Sequence, residues 1–356
     1  MPGPSDLSNI SGHAEASAAA MGRLKIMHVL FSPRIAGSER YCIDLANGQA
    51  ALGHEVHVVG SHGSPMAAAL SPAVTFHGMR TRLFRGFRLR RLARTLGAEI
   101  GHGHLSPGCK ALATLPDRIT RIATLHVGYK PKQHARMHGL ICVNRAQTDR
   151  LAGYAGITAL IPNWLPDAGE PVPLGLRGRL GLGPGIRIVG SVGRLHKSKG
   201  CGLLLSAFMR SAPAEAALVF AGDGPMRAEL EAMAKGDPRI HFLGHCGNVR
   251  GFLREIDLFV SPSLEETAGL AILEAMREGL PVITTATDGP SEYLQGQPVT
   301  FVEIGSADAL AAVLGQALAP GNIAGLARLC YEMGPFQRST GIAHVLQFYL
   351  RAARRS

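Results

Sequence analysis

The chain has 356 residues, 46% apolar and 18% charged, which is room for two ordinary domains and excludes a disordered polypeptide. Its formal charge is +11 with only 5% aromatic residues. Anionic small molecules, anionic lipid and nucleic acid are therefore the partner classes to weigh, and the stacking platforms of a single-strand binder are scarce. No apolar run reaches the roughly 18 residues of a membrane span. The Ser/Ala/Gly-rich residues 1–20 lack the apolar stretch of a secretory signal, so Met21 is a candidate start and the residues before it a loose tail.

From Leu24 to about Glu303, apolar β-branched runs alternate with helical periodicities. The predicted strands of the first half are Lys25–Phe31, Glu55–Val59, Glu99–Gly103, Ile122–His126, Leu140–Val143 and Ala159–Ile161, with helices over Ser38–Leu52, Leu89–Leu96 and Ala146–Tyr154. The Pro/Gly-rich stretch 162–185 reads as a linker. The series resumes with strands Arg187–Val192, Ala217–Ala221, Ile240–Leu243, Leu258–Ser261 and Val282–Thr284. Helices are predicted over Gly202–Met209, Met226–Ala234, Val249–Glu255, Leu270–Glu278 and Ala307–Leu318, and an amphipathic helix over Ile342–Arg354. Continuous apolar strands alternating with helices imply parallel sheets covered on both faces, in two α/β units of similar size. Ligands of such sheets sit beyond the carboxyl ends of the strands, so the expected site is a cleft where the two units face each other. Six scattered cysteines show no CxxC pair and no zinc-like spacing, and the fifteen histidines form no ligand motif. Reduced thiols, a cytoplasmic protein and no metal site are expected.

Each informative motif follows a predicted strand. Pro33-Arg-Ile-Ala-Gly37-Ser-Glu-Arg40 opens a helix, where Gly37 either lets a ligand approach the backbone or simply serves the turn. Gly101-His-Gly-His104 closes the third predicted strand. His104 there is either a partner for a sugar hydroxyl or a structural histidine; His102 shares its face, and His126 is a weaker case of the same kind. Gly193-Arg-Leu-His-Lys-Ser-Lys-Gly200 holds Arg194 and Lys199 in a glycine-bounded loop. A planar fork and a compact ammonium suit a diphosphate; the alternative is a solvated basic loop. Gly222-Asp-Gly-Pro225 and Gly244-His-Cys-Gly-Asn248 are further candidate linings for a nucleotide. Most informative is Ser261-Pro-Ser-Leu-Glu-Glu-Thr-Ala-Gly-Leu-Ala-Ile-Leu-Glu-Ala-Met276, which sets Glu266 and Glu274 on either side of a small-residue break and a helix start. Amides at Ala268, Gly269 and Leu270 favour phosphate, Glu266 can face a sugar, and Glu274 can accept from ribose hydroxyls.

In this order the motifs resemble the retaining glycosyltransferases of family 4 (glycosyl transferases group 1), over about residues 24–350. The resemblance rests on Gly37-Ser-Glu, His104, Pro162-Asn163, Gly193-Arg-Leu…Lys199-Gly200, Gly222-Asp-Gly-Pro225, Glu266-x7-Glu274, Gly279-Leu-Pro-Val282 and Gly289-Pro-Ser-Glu292. It implies the GT-B fold: two Rossmann-like α/β/α domains facing across a nucleotide-sugar cleft, with a C-terminal helix crossing back to the first. The corresponding boundaries are 1–22 for the tail, 23–165 for an acceptor-side domain, 166–335 for a nucleotide-sugar domain and 336–356 for the returning helix. The resemblance also implies that Arg194 and Lys199 bind the donor diphosphate, that Ala268, Gly269 and Leu270 complete the phosphate cradle, and that Glu274 holds the ribose. Glu266 would face the transferred sugar, His104 would touch it from the first domain, and Gly37 would allow close approach. Thr267 and Ala268 stand where family members commonly carry glycine and an aromatic residue, and Pro290 replaces a second glycine, which leaves the sugar open.

The implied activity moves a sugar from a nucleotide-sugar donor, a UDP-sugar in preference to GDP-mannose, to a glycan or lipid-linked acceptor. It would act with retention in cell-envelope polysaccharide or lipopolysaccharide synthesis. Fixed cations and amides would stabilise the departing diphosphate, so no metal and no cofactor beyond the donor are expected. No residue stands out as a covalent nucleophile, which favours same-face attack by the acceptor over the two-carboxylate arrangement of retaining hydrolases. Seven arginines and no acid lie between Arg80 and Arg94. Leu89, Leu92, Ala93 and Leu96 make a core stripe there, and the arginines are either solvated or a cationic surface for anionic lipid, which would put the enzyme on the inner face of the cytoplasmic membrane. The alternatives are a nucleotide-sugar epimerase, hydrolase or phosphorylase of the same fold and, on charge alone, a nucleic-acid-binding protein, for which no docking module is present.

Overall fold

The computed structural model describes residues 22–80, 83–166, 170–322 and 326–355; the loose tail, Met21 and Arg82 lie outside them. The chain forms two compact units. One runs to Pro166 and takes up the chain again at Gly334, and the other spans 167–333.

In the first unit the strands are β1 (Lys25–Val29), β2 (Glu55–Ser61), β3 (Val74–Met79), β4 (Ile100–His104), β5 (Thr120–Thr124), β6 (Gly139–Cys142) and β7 (Ile157–Leu160). They make one parallel sheet in the order β3-β2-β1-β4-β5-β6-β7. The second unit holds β8 (Arg187–Val192), β9 (Ala216–Ala221), β10 (Ile240–Gly244), β11 (Leu258–Ser261), β12 (Val282–Thr285) and β13 (Thr300–Val302), ordered β10-β9-β8-β11-β12-β13. Both orders are doubly wound. Each reverses direction between its first and fourth strands, the place where such sheets open a crevice for ligands.

β3 and β13 escape a reading by apolar runs. Both are edge strands, half exposed along their length, and an edge needs less apolar surface than a strand buried on both faces. The helix Leu105–Leu112 is hidden by its Ser-Pro-Gly opening, although a proline in the first turn displaces no intrahelical bond. β5 stops at Thr124, so His126 lies beyond the strand and not on it. The stretch 162–185 is not linker throughout. Trp164 and Leu165 are buried in the first unit, and the carboxylate of Glu255 accepts from the N–H groups of Leu174, Gly175 and Leu176 in the second.

The pattern Gly101-His-Gly-His104 has a packing cause. Successive residues of β4 face opposite sides of the sheet. A Cβ on Gly101 would lie 2.6 Å from Leu112 Cδ1, and one on Gly103 3.2 Å from Cys109 Sγ, so the helix Leu105–Leu112 seats against bare backbone. The other face carries His102 and His104, and there the helices Gly37–Ala51 and Arg338–Ala353 cover the sheet. The C-terminal helix is locked in several ways. Arg338 Nε donates to Asp44 Oδ1 at 2.7 Å, Trp164 Nε1 donates to Asp44 Oδ2 at 2.7 Å, and Tyr349 is fully buried. A Cβ on Gly341 would stand 2.1 Å from Trp164 Cε3. Gly341→Val is therefore expected to cost about 1–3 kcal/mol by overpacking, read as a lower urea midpoint. An unchanged midpoint would mean the helix does not press on Trp164 in solution.

Candidate functional site

In the second unit the site grows from the loops at the carboxyl ends of β8, β9, β11 and β12. β8 and β11 are hydrogen-bonded neighbours, so the loops after them meet although they are far apart in sequence. Two carbonyls of the β8 loop set the register of Gly222-Asp-Gly-Pro225. A Cβ on Gly222 would sit 1.8 Å from Gly193 O, and one on Gly224 2.3 Å from Leu195 O. Gly200, at φ +63°, leaves the loop in a left-handed conformation that glycine adopts cheaply. Its would-be Cβ lies 2.0 Å from Pro262 O, which presses the basic loop against the end of β11. Leu264 N and Glu265 N donate to Ser198 O at 2.8 and 3.2 Å, closing that contact.

The result is an ion pair: Lys199 Nζ lies 2.5 Å from Glu266 Oε2. The other oxygen of Glu266 accepts from Gly269 N at 3.1 Å, and Ser263 Oγ donates to Oε2 at 3.4 Å. Glu266, expected to face a sugar, thus first caps the helix Leu270–Arg277 and holds a lysine over its start. Gly269, at φ +54°, is the N-cap of that helix. The phenol of Tyr293 lies under it, donating to Gly269 O at 3.4 Å; its own proton is held tightly, first by burial and then by the charge of Glu266. A Cβ on Gly289 would meet Thr267 O at 2.3 Å, which accounts for the glycine of Gly289-Pro-Ser-Glu. Pro290 falls in the first turn of the helix Asp288–Tyr293, where its missing N–H costs no helical bond.

Arg194 is exposed on the β8 loop and has no side-chain partner among the described residues. Glu274 is half-buried four residues into its helix, and its charge reaches Arg277 and Cys246. Cys246 belongs to the Gly244–Asn248 loop, so this loop does come to the Glu274 side of the helix. Its thiol is pushed up by burial, with Arg179 opposing and Glu274 reinforcing. Lys199, Glu266, Gly269 and Leu270 are brought together, then, with Ala268 in the same turn and Arg194 on the same loop as Lys199. Two cations on one loop and a helix start are the kind of groups that suit an anion, but the Gly269 N–H is already taken by Glu266. Tyr293 and Ser263 were missed; the Gly289-Pro-Ser-Glu motif was the signal for the first, and nothing in the spacing marked the second.

In the first unit Gly37 opens the helix Gly37–Ala51, and nothing lies within 4 Å of where its Cβ would be. Glu39 is buried and its Oε2 accepts from Ala36 N at 3.0 Å and Ser38 Oγ at 3.1 Å. His104, which the resemblance implies touches the donor sugar, instead has a wholly buried ring, because it faces the covered side of the sheet; it is the structural histidine of the two readings. It belongs to a hydrogen-bonded array whose proton positions follow from Gln49. Gln49 Nε2 donates to Tyr349 Oη at 3.2 Å, so its Oε1 accepts from His28 Nε2–H at 2.8 Å. His28 Nδ1 then accepts from His104 Nε2–H at 3.1 Å, and His104 Nδ1 from His126 Nε2–H at 3.1 Å. On the other branch Tyr349 donates to His102 Nδ1 at 2.6 Å, and His102 Nε2–H donates to Thr124 Oγ1 at 2.8 Å. The array ends at half-buried His126, whose Nδ1 keeps its lone pair. His126, not His104, is the ring that faces outward.

Burial lowers every histidine of the array. It brings His28 down to about 4 against the opposing bond from Gln49, and His126 to about 4 against the charge of Glu39. His102 and His104 lie well below the ordinary value, from burial and then from neighbouring rings. His28, Cys42 and His104 also place one ligand atom each within 4.8 Å of the others, a cluster that sequence spacing did not reveal. His28 Nδ1 and His104 Nε2 are engaged in the bond to each other, and burial keeps the Cys42 thiol protonated.

The helix Arg85–Leu96 buries Leu89 and Ala93 and leaves Arg88, Arg90, Arg91 and Arg94 exposed, as its apolar stripe requires. No helix among the described residues is long and apolar enough to cross a membrane.

Two family models match the chain, one on each unit: Glycosyltransferase Family 4 over residues 35–167 and Glycosyl transferases group 1 over residues 186–319. The lipopolysaccharide core biosynthesis mannosyltransferase LpsB of Rhizobium meliloti is 28% identical over 90% of this chain and 96% of its own. The glycosyltransferase LpsE of the same organism, also assigned to lipopolysaccharide core biosynthesis, is 32% identical over 38% of this chain and 41% of its own. Among solved structures, a glycosyltransferase from Rickettsia africae superposes with a TM-score of 0.73 at 15% identity, covering 94% of this chain and all of that one. Anabaena HepE in complex with UDP-glucose gives 0.72 at 17% identity, covering 94% and 99%. These likenesses show the fold, two Rossmann-like domains of the GT-B glycosyltransferases. With both halves of the chain matched in order by the two models, it belongs to the group 1, family 4 glycosyltransferases.

Proposed function

We propose that this glycosyltransferase moves a sugar from a nucleoside diphosphate sugar, a UDP-sugar before GDP-mannose, to a glycan or lipid-linked acceptor with retention of configuration. The observation that carries this reading is the Lys199–Glu266 pair fastened over the start of the helix Leu270–Arg277, with exposed Arg194 on the same loop as Lys199. As the glycosidic bond breaks, negative charge collects on the diphosphate. Lys199, Arg194 and the amides at Ala268 and Leu270 would meet that charge with little reorganisation, whereas the Gly269 N–H serves Glu266 and acts on the phosphate only through that cap. The ammonium of Lys199 has three donors and can keep Glu266 while serving a phosphate oxygen. Glu274 takes the ribose, and Gly37 leaves backbone open in the first unit. In this reading fixed cations do the work of a metal and no further cofactor takes part.

Two relatives support different donors: HepE was solved with UDP-glucose, whereas LpsB is a mannosyltransferase. The names of LpsB and LpsE support an acceptor in lipopolysaccharide synthesis; a cytoplasmic enzyme is part of the same proposal. The arginines from Arg80 to Arg94 would hold it on the anionic inner face of the membrane, each contributing about 1 kcal/mol near the surface. A thermal-shift screen of nucleotide sugars is expected to raise the melting midpoint with one base and one sugar, because a ligand of the folded state stabilises it by mass action. No shift with any of them would remove the reading. NMR of the product's anomeric centre tests retention, and an inverted linkage overturns that part alone.

A further inference from the structure

The first unit has a second feature that donor binding does not use. Leu83, Phe84 and Phe87 stand 67%, 69% and 68% exposed around the start of the helix Arg85–Leu96. Three large apolar side chains so close together on a surface mark an interaction site, and the arginines around them select an anionic one. Phe84 adopts φ +53°, a left-handed conformation that a non-glycine residue holds at a cost of about 1–2 kcal/mol. Beside this group lies a cavity of about 690 Å³, walled by Phe31, Pro33, Phe84, Arg85, Ser106 and Lys110 among others. That volume is ordinary for a small-molecule site. The wall is chiefly apolar and carries two cations and no acid. The guanidinium of Arg85 is stacked 3.7 Å over the ring of Phe31, so its position is set. Lys110 is exposed and has no ion-pair partner among the described residues.

The cavity sits at the carboxyl end of β1 and the start of the helix after β4, the reversal point of this sheet. It shares Ser106 with a smaller hollow lined by His126. Leu105, between β4 and this hollow, is held at φ +58°, and such strain concentrates at functional sites.

We propose that this cavity binds the phosphate of an amphiphile between Arg85 and Lys110, with the apolar chain lying along Leu83, Phe84 and Phe87. An apolar wall alone would take a neutral lipid, and an arginine face alone would take any anion. Together they fit a phosphate ester carrying a long alkyl chain. As the acceptor of the proposed transfer, an inference that rests on that reading, the ligand is a phosphate-bearing lipid, and its sugar hydroxyl emerges beside His126.

Binding is measured on the full chain without any donor, so its failure is separable from failure of the transferase reading. Calorimetry with dodecyl phosphate is expected to show binding at least about tenfold tighter than with inorganic phosphate or dodecanol, because each of those lacks one half of the contact. Lys110→Glu is expected to weaken dodecyl phosphate binding about tenfold or more, while the stabilisation by nucleotide sugar stays as in the wild type. Phe84→Ser with Phe87→Ser, both surface changes, is expected to remove the advantage of dodecyl phosphate over inorganic phosphate. Vesicles separate an extracted phosphate group from simple adhesion: the wild type should prefer phosphatidic acid to phosphatidylglycerol at equal charge, and Lys110→Glu should abolish the preference. Equal binding to both lipids with no effect of Lys110→Glu means adhesion by the arginines alone and overturns the proposal, as does an absence of dodecyl phosphate binding.

Discussion

Arg194→Met is expected to lower kcat/KM by about 10²–10³-fold, the range for removing one preorganised donor from a developing oxyanion, without changing thermal stability. The stability expectation follows from its setting: the side chain is exposed and has no partner among the described residues, and surface changes of that kind usually stay within about 0.5 kcal/mol. Lys199→Met is expected to cost as much activity but also some stability. It strands Glu266, whose side chain is only 16% exposed and which caps the helix Leu270–Arg277. Lys199→Met with Glu266→Gln separates the effects. The second change removes the unpaired charge and restores stability, while turnover stays low because the diphosphate still lacks its cation. The measurement is steady-state turnover alongside melting curves for each variant. Wild-type kcat/KM in both single variants, with folding intact, would falsify the assignment of this loop to the leaving group.

Mild acid is expected to destabilise the first unit through its histidine array. The buried rings of His28, His102 and His104 are held neutral, and their proton affinities lie below the ordinary value of 6.5. Below that pH the unfolded chain binds protons that the folded chain refuses. The stabilisation is therefore complete above pH 6.5 and drains away as pH falls toward the folded value, about 4 for His28. By linkage, His28 alone accounts for roughly 2 kcal/mol lost between neutral pH and pH 5. His126 shifts in the same direction and contributes less, since it is only half-buried. Urea unfolding at the two pH values should show the loss, and His28→Gln should shrink it by about that amount whatever it does to stability at neutral pH. An unchanged pH dependence in His28→Gln means that this ring titrates alike in the folded and unfolded chain.

The motifs that follow strands were readable because a doubly wound sheet places every strand–helix loop at the same end. An apolar run and a glycine-bounded loop after it are local properties of the chain. Gly193–Gly200 and Ser261–Met276 could therefore be marked as site loops with no knowledge of how the sheet is ordered. Which loops meet is not local. The ion pair of Lys199 with Glu266 exists because β8 and β11 lie side by side, and strand order does not appear in the spacing of either segment.

The histidines show the same division more sharply. Gly101-His-Gly-His104 announces an unusual strand end, and alternation alone puts both rings on one face. Whether that face is open or covered depends on Arg338–Ala353, a helix more than two hundred residues further on, whose Tyr349 completes the array. His28 escapes a reading of the sequence because a single polar residue in an apolar strand has no pattern to distinguish it until His102 is paired beside it. The arginine helix divides likewise: its apolar stripe marks the face that turns inward, although Leu92 and Leu96 are only partly buried there, while the exposure of Leu83, Phe84 and Phe87 and the cavity next to them depend on where the helix is laid down.

Periodicity and loop composition, then, were enough for two parallel α/β units and for the loops that carry the chemistry, since both follow from interactions within a few residues. Partner choice, burial and protonation needed the folded chain. They arise where segments distant in sequence are packed together, and the energy of a buried charge or ring depends on everything that surrounds it.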